Sequence, residues 1–233
     1  MLPSSTSTGH CERFVVLQIL KLRAAASLRA AAFSEHALDR SDFALQSYRR
    51  MKADSEWEIL ESKLAGKEPG YQLIKVTCLV ACLDDVEGGS LASAVRQDTD
   101  LSCKIPAGVG GSHAQLVVGT LDINQGVNLP GEQLIGQEPE GAPAKVQRGY
   151  LSNICTQKAV RRKGVAKRLI KAAIEESARA GIRRLYVHAA EQNFGAVQLY
   201  TRHCGFELEQ EEGAGIAIRL NRPRRYLFRQ RLS

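Results

Sequence analysis

The stretch "ICTQKAVRRKGVAKRLIKAAIEESARAG" (Ile154–Gly181) opens as an apolar strand and continues, after one glycine, as an amphipathic helix. Apolar residues recur at helical spacing, which predicts a helix from Gly164 that ends at Gly181. The predicted apolar stripe consists of Val165, Leu169, Ala173 and either Ser177 or Ala178. The opposite, charged face carries Lys167, Arg168, Lys171 and Glu175.

Basic residues crowd the start of this helix, where like charges repel and the helix dipole disfavours cations. They are Arg161, Arg162, Lys163, Lys167 and Arg168. The first N–H groups of a helix have no partner inside the helix and attract anions, and a glycine lets an anion approach the backbone closely. The cluster around Gly164 therefore predicts an anion site. A solvated basic surface is the simpler alternative for a charge run.

The surrounding pattern is strand, helix, strand, helix and two final strands. The predicted elements are strand 149–156, helix 164–180, strand 182–190, helix 194–203, and strands 215–221 and 225–232. Two strands joined by a helix of this length form a parallel β-α-β unit with a right-handed crossover. The C-terminal half is therefore expected to be α/β.

The first half of the chain predicts two helices and then two strands. The helices are an amphipathic one over 17–36 and a second over 42–65, and the strands cover 71–85 and 114–124. The connectors at 86–112 and 125–147 are long, polar and rich in glycine. Connectors of this length either shape a binding surface or are disordered, and the sequence favours neither.

The composition is that of an ordinary globular protein. Of the 233 residues 44% are apolar and 24% charged. The formal net charge of +7 favours anionic partners, such as phosphates, acidic proteins, nucleic acids or membrane headgroups. The longest apolar run, Phe14–Leu20, is shorter than the roughly 20 residues that cross a bilayer, so no membrane span is expected.

Six cysteines without a C-x-x-C pair favour a reduced compartment rather than a disulfide framework. Cys78 and Cys82 come nearest to a metal pair, but both are expected to point into one core face of a strand, so no metal site is predicted.

We expect a single domain over 14–233. Residues 1–13 are rich in Ser and Thr, which is typical of a flexible tail or of the remnant of a transit peptide.

Two motifs carry a family resemblance. "RRKGVA" (Arg161–Ala166) fits the pattern R/Q-x-x-G-x-G/A, and "NFGAVQLYTRHCGFE" (Asn193–Glu207) resembles the block N-x-x-A-x-x-L-Y-x-x-x-G-F. Both patterns, in this order, are those of the GNAT superfamily of acetyl-CoA-dependent N-acyltransferases. The resemblance implies the GNAT fold, an α/β fold with a central twisted mixed sheet, helices on both faces and splayed fourth and fifth strands. The acetyl-CoA-binding core would span about 148–207.

Further stretches resemble the plastid GNAT group of plants and algae, which acetylates protein N-termini and internal lysines. They are "LRAAAFSEH", "VVGTLDIN", "YLSNICTQKAVRRKGVA", "LYVHAAEQN" and "LNRPRRYLF". This resemblance covers most of 20–233 and places the first strand of the fold within "RFVVLQIL" (Arg13–Leu20). It implies acetyl-CoA as co-substrate, no metal, and a location in the chloroplast, with the cytoplasm as the alternative.

The resemblance also implies the site residues. The coenzyme-binding set is Ile154, Cys155, Thr156, Arg161, Arg162, Lys163, Gly164, Val165, Ala166, Lys167, Asn193 and Tyr200. Asn193 is also expected to cap the helix that follows it. Tyr200 is the candidate general acid, and Tyr150 and His188 are candidates to relay the amine's proton. A backbone N–H near Ile154 would stabilise the developing oxyanion. Each of the three catalytic candidates has packing in the core as its alternative role, whereas Cys155 is expected to be buried and not nucleophilic.

The expected function is acetyl transfer to protein N-terminal α-amines, with possible activity on lysine. Partners would be protein or peptide N-termini and lysines, with no membrane and no nucleic acid, and the protein would be a monomer or weak dimer. One alternative is a GNAT enzyme for a small amine, such as a polyamine or amino acid. Another is a basic module whose tail "NRPRRYLFRQRLS" (Asn221–Ser233) contacts RNA or the ribosome. Alternation along a final strand explains that tail more simply.

Overall fold

The computed structural model describes residues 13–16, 19–33, 42–85, 90–98, 103–107, 114–126, 129 and 147–232. The strands are β1 (Arg13–Val16), β2 (Ile74–Asp84), β3 (Lys104–Ile105), β4 (Gln115–Gly126), β5 (Arg148–Thr156), β6 (Arg184–Ala190), β7 (Glu207–Glu211) and β8 (Arg225–Arg231). The helices are α1 (Ile19–Phe33), α2 (Asp42–Leu64), α3 (Ser90–Asp98), α4 (Val165–Arg179), α5 (Phe194–Gln198) and α6 (Ala214–Arg219). A 3₁₀ turn (Lys158–Val160) precedes α4, and a π-helical turn (Leu199–His203) follows α5.

The described strands form one mixed sheet in the order β1-β2-β4-β5-β6-β8-β7, with β3 paired to β4. Only β5 and β6 are parallel neighbours among these strands. This arrangement confirms the predicted α/β fold and the β-α-β unit. The strands predicted as fourth and fifth are β5 and β6, because the two-residue β3 adds one strand to the count.

Helices cover both faces of the sheet. On one face α4 packs through Val165, Leu169, Ile170, Ala173 and Ser177, all buried in the larger core. The predicted stripe is thus confirmed, with Ser177 rather than Ala178 at its end. On the other face α1 and α2 cover β2 and β4, in a second core that contains Leu22, Leu28, Leu60, Val80 and Val117.

The prediction that the first helix is amphipathic was wrong. In α1 every residue from Ala24 to Ala30 is buried, while Arg23 and Phe33 are exposed. The helix lies between the sheet and α2, so that both of its sides are covered. A run of alanines permits this close packing on two sides, and periodicity alone does not reveal it.

Two further predictions differ from the structure. The segment 215–221, predicted as a strand, contains α6, and the preceding strand is β7. Arg222 forms an ion pair with the buried Glu212, which closes this segment into a loop and leaves Ile218 exposed rather than paired in the sheet.

The first long connector contains α3 and β3. Most of the second connector, and the predicted tail up to residue 12, lie outside the described residues.

The pairing of β5 with β6 stops at Leu151 and Val187. Just beyond this point β5 contains a β-bulge. Between two successive positions at which β5 pairs with β4, β5 has two residues and β4 has one. Asn153 lies in this bulge with a φ of 54°, in the left-handed region. A bulge bends its strand and increases the local twist, so the second half of β5 turns away from β6. The predicted splaying of these strands is confirmed.

The contact between α4 and the sheet depends on Gly119 of β4. A methyl group on this residue would lie 2.8 Å from Leu169 Cδ1 and 3.1 Å from Val165 Cγ1. Overpacking a dense core costs about 1–3 kcal/mol. We expect Gly119→Ala to lower the free energy of unfolding by about that amount, measured by urea denaturation.

The matched control is Gly213→Ala, because nothing lies within 4 Å of the added methyl group. Its unfolding midpoint should stay close to that of the parent protein. If Gly119→Ala unfolds at the same midpoint as the control, α4 is not held tightly against β4.

Candidate active site

A cavity of about 680 Å³ opens beside the second half of β5. One wall is the turn that leads into α4, and the other is formed by α5 and the π-helical turn. The end of α1 adds Ala32 and Phe33. The volume is typical of sites that bind small molecules. The site therefore lies where the two parallel strands separate.

The structure brings most of the predicted coenzyme-binding residues together around this cavity. Those that line it are Ile154, Cys155, Thr156, Arg161, Arg162, Gly164, Val165, Ala166, Lys167, Asn193 and Tyr200. Lys163 is exposed in the same turn and does not line the cavity. Eight further residues line the cavity, namely Ala32, Phe33, Val160, Gly195, Ala196, Gln198, Leu199 and His203. Ala196 and Leu199 occupy fixed positions of the second motif, but none of the eight was predicted to bind the coenzyme. The binding roles of the predicted set stay predictions.

The turn before α4 has the geometry of an anion site. Gly164 is the N-cap with a φ of 81°, and no side chain caps the helix. Arg162 also has a positive φ, of 65°. The space above Gly164 is open, since a Cβ there would meet nothing within 4 Å. The first N–H groups of α4 therefore point into open space beside exposed cations, an arrangement that suits a diphosphate.

The second half of β5 presents backbone to the cavity. On one side it stays paired with β4, through Thr156 opposite Gly119 and Cys155 opposite Thr120. On the other side its ladder with β6 has ended, so the groups that face β6 have no strand partner. Burial raises the pKa of the Cys155 thiol to about 12, which keeps it protonated at neutral pH. A thiol in this state is a poor nucleophile, as the sequence predicts.

Tyr200 lies in the π-helical turn and is 5% exposed. Its ring packs against Phe206 and Phe228, with centroids 6.0 and 5.9 Å away. Burial, together with nearby Tyr150 and Cys204, raises the pKa of Tyr200. Tyr200 therefore packs in the core and also lines the cavity as a protonated phenol, while its role as general acid stays a prediction.

The π-helical turn corrects one detail of the motif. Four residues separate Tyr200 from Gly205, whereas the pattern has three. Hydrogen bonds from i to i+5 add one residue to a helical turn, and π turns are frequent at functional sites. The turn thus accommodates the additional residue. At the other end of α5, Asn193 accepts a hydrogen bond from the Ala196 N–H at 3.1 Å, which confirms the predicted helix cap.

Tyr150 and His188 form a pair on the parallel strands β5 and β6. The Tyr150 hydroxyl lies 3.1 Å from His188 Nδ1, and the imidazole tautomer decides which atom donates. Burial and the positive charge of Arg225 lower the pKa of His188 to about 4, whereas burial raises that of Tyr150. Both groups are therefore neutral at physiological pH. Neither is among the residues that line the cavity.

A network of buried polar side chains lies beside the bulge, and neither sequence motif indicated it. Arg29 Nη2 donates to Asp122 Oδ1 at 2.5 Å and to Thr120 Oγ1 at 3.0 Å. Asn153 Nδ2 donates to Asp122 Oδ2 at 2.8 Å. The available sequence signals were an arginine within an alanine-rich helix, and alternating Thr120, Asp122 and Asn124 on an apolar strand. Polar residues in such positions face the core and need partners.

Glutamates hold three arginines of the C-terminal segment. The ion pairs are Arg222 with Glu212, Arg224 with Glu211 and Arg229 with Glu209. Phe228, which could have stacked on a base, is buried at 1% exposure. The segment is an ordinary strand with its loop, and these contacts give no support to the nucleic-acid alternative.

Among the described residues, no group of three or more His, Cys, Asp or Glu side chains could hold a metal ion. None of the described helices combines the length and the apolar character that a membrane crossing requires. Cys78 and Cys82 are both buried in the core beneath α1, which confirms that both point to one face of β2.

Residues 97–206 match the acetyltransferase (GNAT) family. The chain is 37% identical over 208 residues to GCN5-related N-acetyltransferase 7, chloroplastic, of Arabidopsis thaliana, and the match covers 89% of this chain and 71% of that protein. One similar solved structure is the PaiA N-acetyltransferase of Thermoplasma acidophilum in complex with coenzyme A, with a TM-score of 0.51, 13% identity, and coverage of 95% of this chain and 99% of that one. Another is Arabidopsis thaliana NAA60 in complex with a bisubstrate analogue, with a TM-score of 0.55, 13% identity, and coverage of 96% and 99%. At such identities the two structures show a shared fold.

The lowered pKa of His188, which lies beside Tyr150, can be tested by titration. We expect the imidazole of His188 to titrate near pH 4 rather than near 6.5, measured by NMR of labelled histidine. Because the unfolded imidazole takes up its proton near 6.5, the stability associated with neutral His188 is complete above that pH and is lost as the pH falls toward 4. Arg225→Gln should raise the pKa of His188, since it removes a nearby positive charge.

Arg231→Gln is the control, because it removes the same charge from the far end of β8. It should leave the His188 titration unchanged. Equal shifts in the two variants, or a parent pKa near 6.5, would contradict the burial and charge effects described for this pair.

Proposed function

This chain belongs to the GNAT family of acetyltransferases, which are acyltransferases that use acetyl-CoA, and we propose that it moves the acetyl group directly to the α-amines of protein N-termini. Lysine ε-amines are the second class of acceptor. The chloroplastic relative and the fold shared with NAA60 support this proposal.

One observation carries the proposal, namely the composition of the cavity between the separated strands. A basic, uncapped helix terminus stands at one wall, a protonated phenol at the other, and unpaired strand backbone lies between them. A ligand with a diphosphate at one end and a thioester at the other needs these three features in one cavity.

The residues present fit acetyl-CoA, which supplies the activated acetyl group. Arg161, Arg162 and Lys167 surround the first N–H groups of α4, and together they bind the diphosphate. The side-chain oxygen of Asn193 is already used by the helix cap. Its amide NH₂ is left to donate to the pantetheine arm. PaiA, which shares the fold, was solved with coenzyme A.

Acyl transfer needs donors at the carbonyl oxygen and at the leaving sulfur. A backbone N–H near Ile154 donates to the carbonyl oxygen, where negative charge develops. Tyr200 donates to the sulfur, and its raised pKa keeps the phenol protonated throughout the physiological range. The thiol of Cys155 takes no covalent part, so the transfer is direct.

The pair formed by Tyr150 and His188 does not line the cavity and receives the amine's proton through water. An imidazole with a pKa of about 4 is too weak to deprotonate an ammonium group before reaction. It can take the proton from the nitrogen once the new C–N bond makes that proton acidic. The acceptor must therefore arrive as a neutral amine.

This requirement favours N-termini over lysines. At pH 7 roughly a tenth of α-amines, with a pKa near 8, are neutral, compared with on the order of one in a thousand lysine side chains near 10.4. At pH 7 the fraction of amine in the neutral, reactive form is therefore about a hundredfold higher for N-termini than for lysines. Lysine acetylation is consequently the slower activity.

We also propose the remaining organisation of the protein. Residues 14–233 form a single acetyltransferase domain, which acts as a monomer or weak dimer on protein or peptide N-termini and lysines. The chloroplastic relative supports a location in the chloroplast.

The proposed acceptor class is tested by mass spectrometry of acetylated products. Acetyl-CoA is incubated with a library of peptides with free N-termini, with N-terminally blocked peptides that contain lysine, and with polyamines and free amino acids. We expect N-termini to react fastest at pH 7, and the rate on lysine peptides to rise about tenfold per pH unit while the rate on N-termini levels off above about pH 8. Preferred acetylation of polyamines or amino acids would instead identify a small-amine enzyme.

The role of Tyr200 is tested by Tyr200→Phe. Loss of the phenolic proton should lower kcat by about 10²-fold or more, because general acid catalysis contributes on this scale. The affinity for coenzyme A, measured by calorimetry, should change little, since the ring still packs against Phe206 and Phe228.

Tyr226→Phe is the matched control, because the Tyr226 hydroxyl bonds to Glu191 rather than lining the cavity. It should retain nearly full turnover. If Tyr200→Phe loses affinity instead of turnover, Tyr200 shapes the cavity and does not donate a proton.

A further inference from the structure

The backbone direction at the β5 bulge requires a cause, since Asn153 adopts a left-handed conformation that residues other than glycine rarely take. Its side chain supplies one. The Asn153 amide donates at 2.8 Å to Asp122 Oδ2, on the neighbouring strand β4. This bond crosses the bulge at the point where the regular ladder between β4 and β5 is interrupted. A side-chain bond thus replaces the missing backbone bonds.

Asp122 is in turn held from the helix layer above the sheet. Arg29 of α1 donates to its other oxygen at 2.5 Å, and both side chains are 1% exposed. The same guanidinium contacts Thr120 Oγ1, Cys78 Sγ and Glu56 Oε1. A buried carboxylate with one oxygen on a guanidinium and the other on an amide has little freedom to move.

We propose that Arg29, Asp122 and Asn153 act as positioning residues for acetyl transfer. Asp122, fixed by Arg29, holds the Asn153 side chain and so sets the direction of the Ile154 N–H group that follows it in the bulge. This N–H group then meets the acetyl carbonyl already aligned. The inference rests on the proposed function and extends it from the cavity to a network that touches no ligand.

The network also connects two parts of the site that are distant in sequence. Arg29 lies one turn before Ala32 and Phe33, which line the cavity from α1. The position of this helix end and the direction of the β5 backbone are therefore set by the same buried carboxylate.

The test compares Asn153→Gly with Ser152→Ala. Glycine accepts the positive φ but removes the amide donor, so the fold is kept while the bond to Asp122 is lost. Ser152 is the neighbouring residue, and its hydroxyl accepts a bond from Asn124 on the other side of the bulge. Ser152→Ala therefore removes one hydrogen bond of the same strand without touching the network.

The first measurement is the infrared carbonyl stretch of bound ¹³C-labelled acetyl-CoA, which reports hydrogen bonding to the thioester and needs no acceptor. We expect a shift to lower frequency in the parent protein and in Ser152→Ala, and a loss of that shift in Asn153→Gly. Equal shifts in all three proteins, or no shift in the parent, would overturn the proposal. Failure of the proposed function would appear separately, as absence of acetylated peptides despite a normal carbonyl shift.

The second measurement is turnover. Asn153→Gly should lower kcat by roughly 10- to 100-fold, because small displacements of aligned groups have effects of this size, while the Kd of coenzyme A changes by about threefold or less. Arg29→Lys, which keeps the charge but loses the planar fork, should act in the same direction. Parent-like turnover in both variants would show that the network only stabilises the fold.

Asn153→Asp adds a readout that a purely structural role would not produce. The introduced carboxylate repels Asp122 when both are ionised, but the pair can share one proton at lower pH. The turnover of this variant relative to the parent should therefore recover as the pH falls. A ratio that is independent of pH would contradict the positioning role.

Discussion

The site depends on the point at which two parallel strands stop pairing. β5 and β6 share only four residue pairs, from Arg148 with Arg184 to Leu151 with Val187. Parallel strands that paired over their full length would satisfy each other's backbone groups and close the sheet. The start of α4 would then stand above a complete ladder, without a cavity beneath it. The interruption exposes strand backbone and leaves a cavity for a ligand. The uncapped N-terminus of α4 lies at one wall of that cavity.

The sequence was most informative where a local pattern and a chemical need coincide. The α4 stripe from Val165 to Ser177 follows from helical periodicity, and the basic cluster at Gly164 follows from the physics of a helix start. Asn193 was identified as a cap because of its position before a helix. More than half of the cavity lining was predicted, since one strand, one turn and one helix, all close in sequence, supply most of it, whereas the end of α1 and several positions of α5 and the π-helical turn were not. The pair formed by Tyr150 and His188 required the family resemblance, because only the sheet brings these residues together.

The remaining features arise from contacts between distant parts of the chain. Arg29 stands in an alanine-rich helix, and its charge is explained only when Asp122, 93 positions later, lies beside it. The burial of α1 on both sides has the same origin, since α2 and the sheet enclose it. At 215–221 an alternating apolar pattern indicated a strand, but the ion pair of Arg222 with Glu212 closes the segment into a loop that holds α6. The additional residue after Tyr200 is visible in the sequence, yet its accommodation in a π turn is not.

The outer strand β7 has a consequence for association between copies of the protein. Its five residues, Glu207 to Glu211, are all exposed, and it lies at the end of the sheet next to β8. An open strand edge normally offers a template for further strands. Here charged glutamates alternate along the edge at positions 207, 209 and 211, the last two in ion pairs with Arg229 and Arg224, and Leu208 is the one large apolar side chain that the strand offers. Charged side chains along an edge strand disfavour edge-to-edge polymerisation, so this strand can stay exposed to water without seeding fibrils.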